Sequence, residues 1–131
     1  MDLLHQHPGE PRGLNLLAAL SAGEDLAVLP SANLDGCALS ELPARVFGLT
    51  HLTTLSAFDN QIEAVPPEIA RLADLRVLNL GGNHLTALPE AVGALRRLEM
   101  LDLGHNRLEH VPDALGALAE LRFLYLSNNQ L

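Results

Sequence analysis

Apolar side chains along most of this chain fall on a fixed schedule that is neither a helical nor a simple strand period. Rows of 23 residues begin at Leu29, Leu52, Leu75, Leu98 and Leu121, and each complete row is apolar at positions 1, 4, 6, 11, 14, 18 and 21. Inside the rows, "VLNLG" and "MLDLG" alternate with period two, so Leu78, Leu80, Leu101 and Leu103 are expected to point inward from short strands. A return to the same register every 23 residues implies parallel strands, one per coil, each stacked on the last. A single row cannot cover its own leucines. Neighbouring rows must do so, which makes a solenoid.

The polar positions repeat as well. Position 9 is Asn60, Asn83, Asn106 and Asn129, with Cys37 in the first row. A buried asparagine there can accept from a loop N–H and donate to a loop C=O, a structural task. Cys37 is a weaker donor, tolerable at the end of a stack and read as a buried structural thiol. Position 15 is Pro43, Pro66, Pro89 and Pro112. Proline suits the first position of a helical turn, so a short helical or 3₁₀ segment is expected on the returning side of each coil.

Rows such as "LRVLNLGGNHLTALPEAVGALRR" and "LEMLDLGHNRLEHVPDALGALAE" carry the pattern L-x-x-L-x-L-x-x-N/C-x-L, which resembles the leucine-rich repeat. The 23-residue length and the "LP" followed by an apolar residue three on look most like the ras-suppressor-like class. The resemblance covers residues 29–131 and implies an α/β fold. That fold is a leucine-rich-repeat solenoid, or horseshoe, with a short parallel sheet on the concave face and 3₁₀ or helical turns on the convex face.

Residues outside the rows read differently. Residues 1–13 hold two prolines and two glycines and read as a flexible tail. Residues 14–28 read as a helical N-terminal cap, in which "GLNLLAALSAG" places Leu14, Leu17 and Leu20, with Leu16, near one face of a helix ending at Gly23. At the other end Leu131 occupies position 11 of an unfinished row. Leu121, Leu124, Leu126 and Leu131 then have no following row, although full burial of one such side chain is worth ~1.5–3 kcal/mol. The expectation is a fragment of a longer protein, or an end covered by self-association with a second copy.

On the strands, positions 3 and 5 should face the concave surface. Position 3 runs Ser31, Thr54, Val77, Met100, Phe123, growing more apolar toward the C-terminus, and position 5 runs Asn33, Ser56, Asn79, Asp102, Tyr125. Val77, Met100, Phe123 and Tyr125 form a candidate contact patch, with Phe58, Asn79, Asp102 and His105 around it, because exposed aromatics and methionine are frequent interface anchors. Against this, strand propensity alone favours such residues on strands. Five strands ~17 Å long at ~4.8 Å spacing offer roughly 350 Å², short of the ~800 Å² that each partner gives to a standard interface.

Composition narrows the partners. Aromatics are 3% against 48% apolar overall, so the core is aliphatic, and sixteen acidic residues against eight basic ones give a net charge of −8. That balance disfavours nucleic acid and anionic membrane surfaces and favours a protein partner with a basic surface. One cysteine cannot form an internal disulfide. With no signal peptide or apolar span of transmembrane length to be read, a cytoplasmic location is expected, or delivery into a host cell. The Ala-, Leu- and Arg-rich composition suggests a GC-rich bacterial gene.

Catalysis is disfavoured. Asp102, His105 and Ser127 should lie near one another, but a flat sheet offers no deep pocket or strained nucleophile elbow. His5 and His7 are two metal ligands where three or four are usual, and His84 and His110 read as loop residues, so no metal or cofactor is expected. The expected function is a non-catalytic protein–protein interaction module. Family resemblance adds two alternatives: the targeting arm of a larger kinase, GTPase or ubiquitin ligase, and a host-delivered bacterial effector.

Overall fold

Five three-residue strands hydrogen-bond side by side in chain order, all parallel, in a computed structural model that describes residues 11–131. They are β1 (Ser31–Asn33), β2 (Thr54–Ser56), β3 (Val77–Asn79), β4 (Met100–Asp102) and β5 (Phe123–Tyr125). Each residue pairs with the one 23 positions on, as in Leu55↔Leu78 and Leu78↔Leu101. The row alignment therefore is the sheet register. With three residues each, the strands are ~10 Å long and the paired sheet covers ~240 Å², less than the strand length expected from the sequence would give. Regular strand ends at position 5, but backbone bonds between coils run on to position 8, as in Gly36 N–H to Phe58 C=O at 2.9 Å. There the chain turns away, and Gly36, Asp59, Gly82, His105 and Asn128 all have φ between +56° and +66°.

The returning side of each coil is a 3₁₀ segment: Ala44–Gly48, Pro67–Arg71, Glu90–Ala94 and Asp113–Ala117. The position-15 prolines stand one residue earlier than expected from the sequence. They are N-caps in extended conformation, with φ from −59° to −76°, not first helical residues. An extended proline has no N–H to satisfy, while its carbonyl accepts from position 18, as in Val92 N–H to Pro89 C=O at 3.1 Å. That bond turns Val46, Ile69 and Val92 into the core, where they are buried.

Helix α1 (Gly13–Ser21) packs beside β1 and buries Leu16, Ala19 and Leu20. Those residues are i, i+3 and i+4, one face of the helix. Leu14, expected on that face, is instead 70% exposed, since two positions before Leu16 lies about 200° around the axis. The helix closes as a Schellman motif: Glu24 N–H donates to Ala19 C=O, Gly23 N–H donates to Leu20 C=O, and Gly23 takes φ +75°. Between the sheet and the 3₁₀ layer runs one continuous leucine core. Phe47 is buried in it at row position 19, where later rows carry only Ala70, Gly93 and Gly116.

Among the described residues no helix is long and apolar enough to cross a membrane.

Candidate functional site

The outward positions of β3, β4 and β5 lie in direct register, Val77↔Met100↔Phe123 and Asn79↔Asp102↔Tyr125. Neighbouring strands are ~4.8 Å apart, so Val77, Met100 and Phe123 form one apolar row with Tyr125 beside its last member. Exposure rises along the row. Val77 and Met100 are half-buried, whereas Phe123 and Tyr125 are 55% and 48% exposed. Phe58, also exposed, lies apart from this row, with its ring edge against Gly82 on the loop margin.

Three polar residues assigned to the face also build the fold. Asn33, Asn79 and Asp102 each accept, through Oδ1, the backbone N–H two residues on: Asp35 at 2.9 Å, Gly81 at 3.0 Å and Gly104 at 2.9 Å. These are Asx-turns that end the strands. Gly81 leaves room for two of them, since a Cβ there would sit 3.3 Å from Oδ1 of both Asn79 and Asp102. Ser56 cannot reach in this way. Asp35 from the preceding coil replaces it, accepting from Ser56 Oγ–H at 2.6 Å and Phe58 N–H at 2.8 Å. Sequence reasoning misses Asp35, though an acid at position 7 beside a serine at the next position 5 is the signal.

His105 is likewise engaged. It takes the left-handed conformation at φ +56°, and its Nε2 lies 3.2 Å from the side-chain amide of Asn128, the same row position one coil on. Its N–H donates to the Ser127 carbonyl, and Asp102 is bound to Gly104 N–H. Asp102, His105 and Ser127 thus share a margin without the base-to-nucleophile and base-to-carboxylate bonds that activate a hydroxyl.

The asparagine column runs through the loop side. Asn60, Asn83 and Asn106 are buried and Asn129 is half-buried. Each donates Nδ2–H to a carbonyl of the preceding coil, 26 residues back, and to carbonyls of its own turn. Oδ1 accepts an N–H of the preceding coil: Ile62 for Asn83, Leu85 for Asn106, Leu108 for Asn129. Asn60 accepts two, from Cys37 and Leu39. Cys37 itself is half-buried with Sγ directed to the Asp35 carbonyl at 3.5 Å. Burial first, and then the Asp35 carboxylate, push its thiol above the ordinary cysteine range, which suppresses the nucleophilic thiolate.

His84 is half-buried and donates its backbone N–H to Ile62, and His110 is exposed. His5 and His7 lie outside the described residues. Among the described residues no three His, Cys, Asp or Glu side chains gather as a metal site.

Comparison with known proteins agrees with this geometry. Residues 75–131 match the family described as "Leucine rich repeat", and residues 50–96 match "Leucine Rich repeats (2 copies)". No curated protein matches the chain. A solved leucine-rich-repeat protein of Leptospira interrogans superposes with a TM-score of 0.70 at 26% identity, covering 92% of this chain and 36% of that one. The leucine-rich repeat domain of APL1B superposes with a TM-score of 0.70 at 28% identity, covering 98% of this chain and 37% of that one. This chain thus spans little more than a third of either structure's length. The family is in general a non-catalytic fold, commonly a protein–protein interaction module. Its register, asparagine column and family matches together make this chain a leucine-rich-repeat protein, folded as an α/β solenoid.

Proposed function

We propose that this chain is a non-catalytic interaction module that holds a protein partner on the C-terminal half of its concave face. The observation that carries this reading is the contiguous outward apolar row Val77–Met100–Phe123, half-buried at its first two members and exposed at Phe123, with exposed Tyr125 beside it. Contiguous apolar surface is uncommon on monomers and is favoured at interfaces. Phe123 and Tyr125 are rigid anchors, and Met100 adapts beside them. Asp102 gives this margin a negative charge, which favours a basic partner surface. The lone cysteine suits a reducing, cytoplasmic setting.

The test is calorimetric binding of a partner recovered with the chain. Tyr125→Ala is expected to cost at least ~2 kcal/mol if it anchors the centre. Ser31→Ala, at the polar end, is expected to leave affinity unchanged. Each variant's melting midpoint is measured alongside, so that a folding defect is not read as lost contact. Loss at Ser31 with none at Tyr125 overturns the reading. Loss confined to Arg96→Ala or Arg97→Ala moves the working surface off the concave face.

A further inference from the structure

Asp35–Gly36, in the first coil, is the only Asp–Gly or Asn–Gly pair in the chain. Such a pair carries a reaction of its own. The glycine main-chain nitrogen is a weak nucleophile one bond short of a five-membered ring with the aspartyl Cγ, and glycine has no Cβ to hinder the approach. Both residues are exposed, and a Cβ built on Gly36 would meet nothing within 4 Å, so the surroundings leave room for the ring and for water. What opposes the reaction is the second coil. Asp35 Oδ1 accepts from Ser56 Oγ–H at 2.6 Å and from Phe58 N–H at 2.8 Å, while Gly36 N–H donates to Phe58 C=O at 2.9 Å. The carboxyl open to attack and the nitrogen that would attack it are therefore the two groups that fasten the first coil to the second. Bonds to a carboxylate are the stronger kind, so the pair is held apart while the coils are joined.

We infer that Asp35–Gly36 is an isomerisation site gated by the junction of the first two coils, closed while they are joined and reactive when they part. On parting, the Gly36 nitrogen bonds to Asp35 Cγ. One carboxyl oxygen leaves as water, taking the carboxyl proton and the Gly36 amide proton, and a cyclic imide remains. Water then adds back at one of the two ring carbonyls. Addition at Cγ restores aspartate. Addition at the main-chain carbonyl carbon leaves isoaspartate, in which the chain runs through Cβ and Cγ and the former main-chain carbonyl is the free carboxylate. No oxidant or cofactor enters, and the mass is unchanged.

The product does not re-form the old junction. Its main chain is one methylene longer between residues 35 and 36, and its carboxylate hangs directly from Cα. The first coil is in exact register with the second, Ser31↔Thr54 through Asn33↔Ser56, so an added main-chain atom just past β1 displaces Gly36 N–H from Phe58 C=O and the carboxylate from Ser56 and Phe58. Isomerisation thus turns a passing separation of the two coils into a lasting one. Because only the open state reacts, the rate follows how often this junction opens, a local quantity distinct from global stability. The site needs no partner, and so stands apart from the concave-face reading.

Peptide mapping of the 131-residue chain, aged at neutral pH and body temperature, tests it, with isoaspartate located by fragmentation. The native chain is expected to form isoaspartate at residue 35 at least ~10-fold more slowly than the chain in guanidinium chloride, since only the open fraction reacts. Ser56→Ala removes one donor to Asp35, and is expected to raise the native rate while leaving the denatured rate unchanged. Asn106→Ala weakens the fold in the third and fourth coils, and is expected to raise the native rate less. Equal native and denatured rates, no isoaspartate in either state, or a Ser56→Ala rate no greater than that of Asn106→Ala overturns the gate. Hydrogen exchange of the isolated isoaspartyl form reads the consequence. The Phe58 amide, which has lost its acceptor, should exchange faster than in the fresh chain, while the Leu80 amide, bonded to Asp102 C=O, should not change. Unchanged protection at Phe58 means that the junction re-forms, and overturns the lasting separation.

Discussion

Asn83 donates its side-chain amide to the carbonyl of Ala57 in the preceding coil, 26 residues earlier, at 2.9 Å. The same amide reaches Leu80 and Gly81 in its own turn, and its Oδ1 takes the N–H of Ile62. One side chain therefore closes its own loop and fastens it to the coil before. Its removal takes the acceptor from Ile62 N–H and one of two donors from each carbonyl, which keep the Asn60 amide at Ala57, the Asn106 amide at Leu80 and Asp59 N–H at Gly81.

Asn83→Ala is accordingly expected to destabilise by ~1–3 kcal/mol, the cost of one buried N–H left unsatisfied together with weakened bonds at three carbonyls. Asn129 makes the same bonds half-exposed, where water can replace them, so Asn129→Ala should cost less. Thermal melts followed by circular dichroism compare the two. Equal midpoints for Asn83→Ala and the unsubstituted chain would contradict the buried column.

Ala38 carries a strain that the later coils avoid. It sits at φ +55°, one of the left-handed positions not filled by glycine, and its side chain is exposed. A left-handed L-residue costs roughly 1–2 kcal/mol, while glycine adds ~0.5–1 kcal/mol of unfolded-chain entropy. Ala38→Gly should therefore raise stability by up to ~1 kcal/mol. Gly82→Ala should do the opposite, because φ is +66° and the new Cβ would meet the Asp59 N at 3.3 Å. Denaturant midpoints of both variants decide the sign.

Most of this architecture is legible in the amino-acid sequence, and the remainder is hidden for physical reasons. The strand register follows from the 23-residue return because parallel strands in successive coils must repeat together. The left-handed column at position 8 escapes the apolar pattern, although Gly36, Asp59, Gly82, His105 and Asn128 are the residue types that best tolerate that conformation. Without it the alternation predicts longer strands. Asn79 and Asp102 read as surface residues because an outward strand position says nothing of a bond two residues ahead. The Asx-x-Gly spacing of Asn79 with Gly81 and of Asp102 with Gly104 is the cue. Leu14 misleads because a leucine-rich nine-residue helix offers more apolar residues than one face can bury.

Gly93 and Gly116 occupy the same row position with different surroundings. A Cβ on Gly93 would lie 2.9 Å from the Ala114 Cβ and 3.0 Å from the Ala114 backbone oxygen, whereas one on Gly116 meets nothing within 4 Å. The 3₁₀ segments containing Gly93 and Ala114 are in contact, so Gly93→Ala must push them apart. It should cost ~1–3 kcal/mol, as overpacking does. Gly116→Ala should be neutral or stabilise by up to ~1 kcal/mol through the unfolded chain. Urea denaturation of the pair settles the matter, and equal losses in both would contradict the close approach.

Asp102 is both a turn former and the charge beside Tyr125, and these two roles can be separated. Asp102→Ala removes both, so its effect on binding is ambiguous. Asp102→Asn keeps the turn: Asn79, its counterpart one coil earlier, makes the equivalent bond to Gly81 N–H at 3.0 Å, against 2.9 Å for Asp102 to Gly104. The charge alone is lost. The melting midpoint of Asp102→Asn should therefore match the unsubstituted chain, while Asp102→Ala should melt lower by ~1 kcal/mol or more. Against a partner with a basic surface, the Asn variant should bind up to ~1 kcal/mol more weakly at low salt, and the difference should shrink as salt rises. Isothermal titration at two ionic strengths makes the measurement. A salt-independent loss would assign Asp102 a direct hydrogen bond to the partner. No loss at either ionic strength would mean that the partner is held by Phe123, Tyr125 and Met100 without the acidic margin.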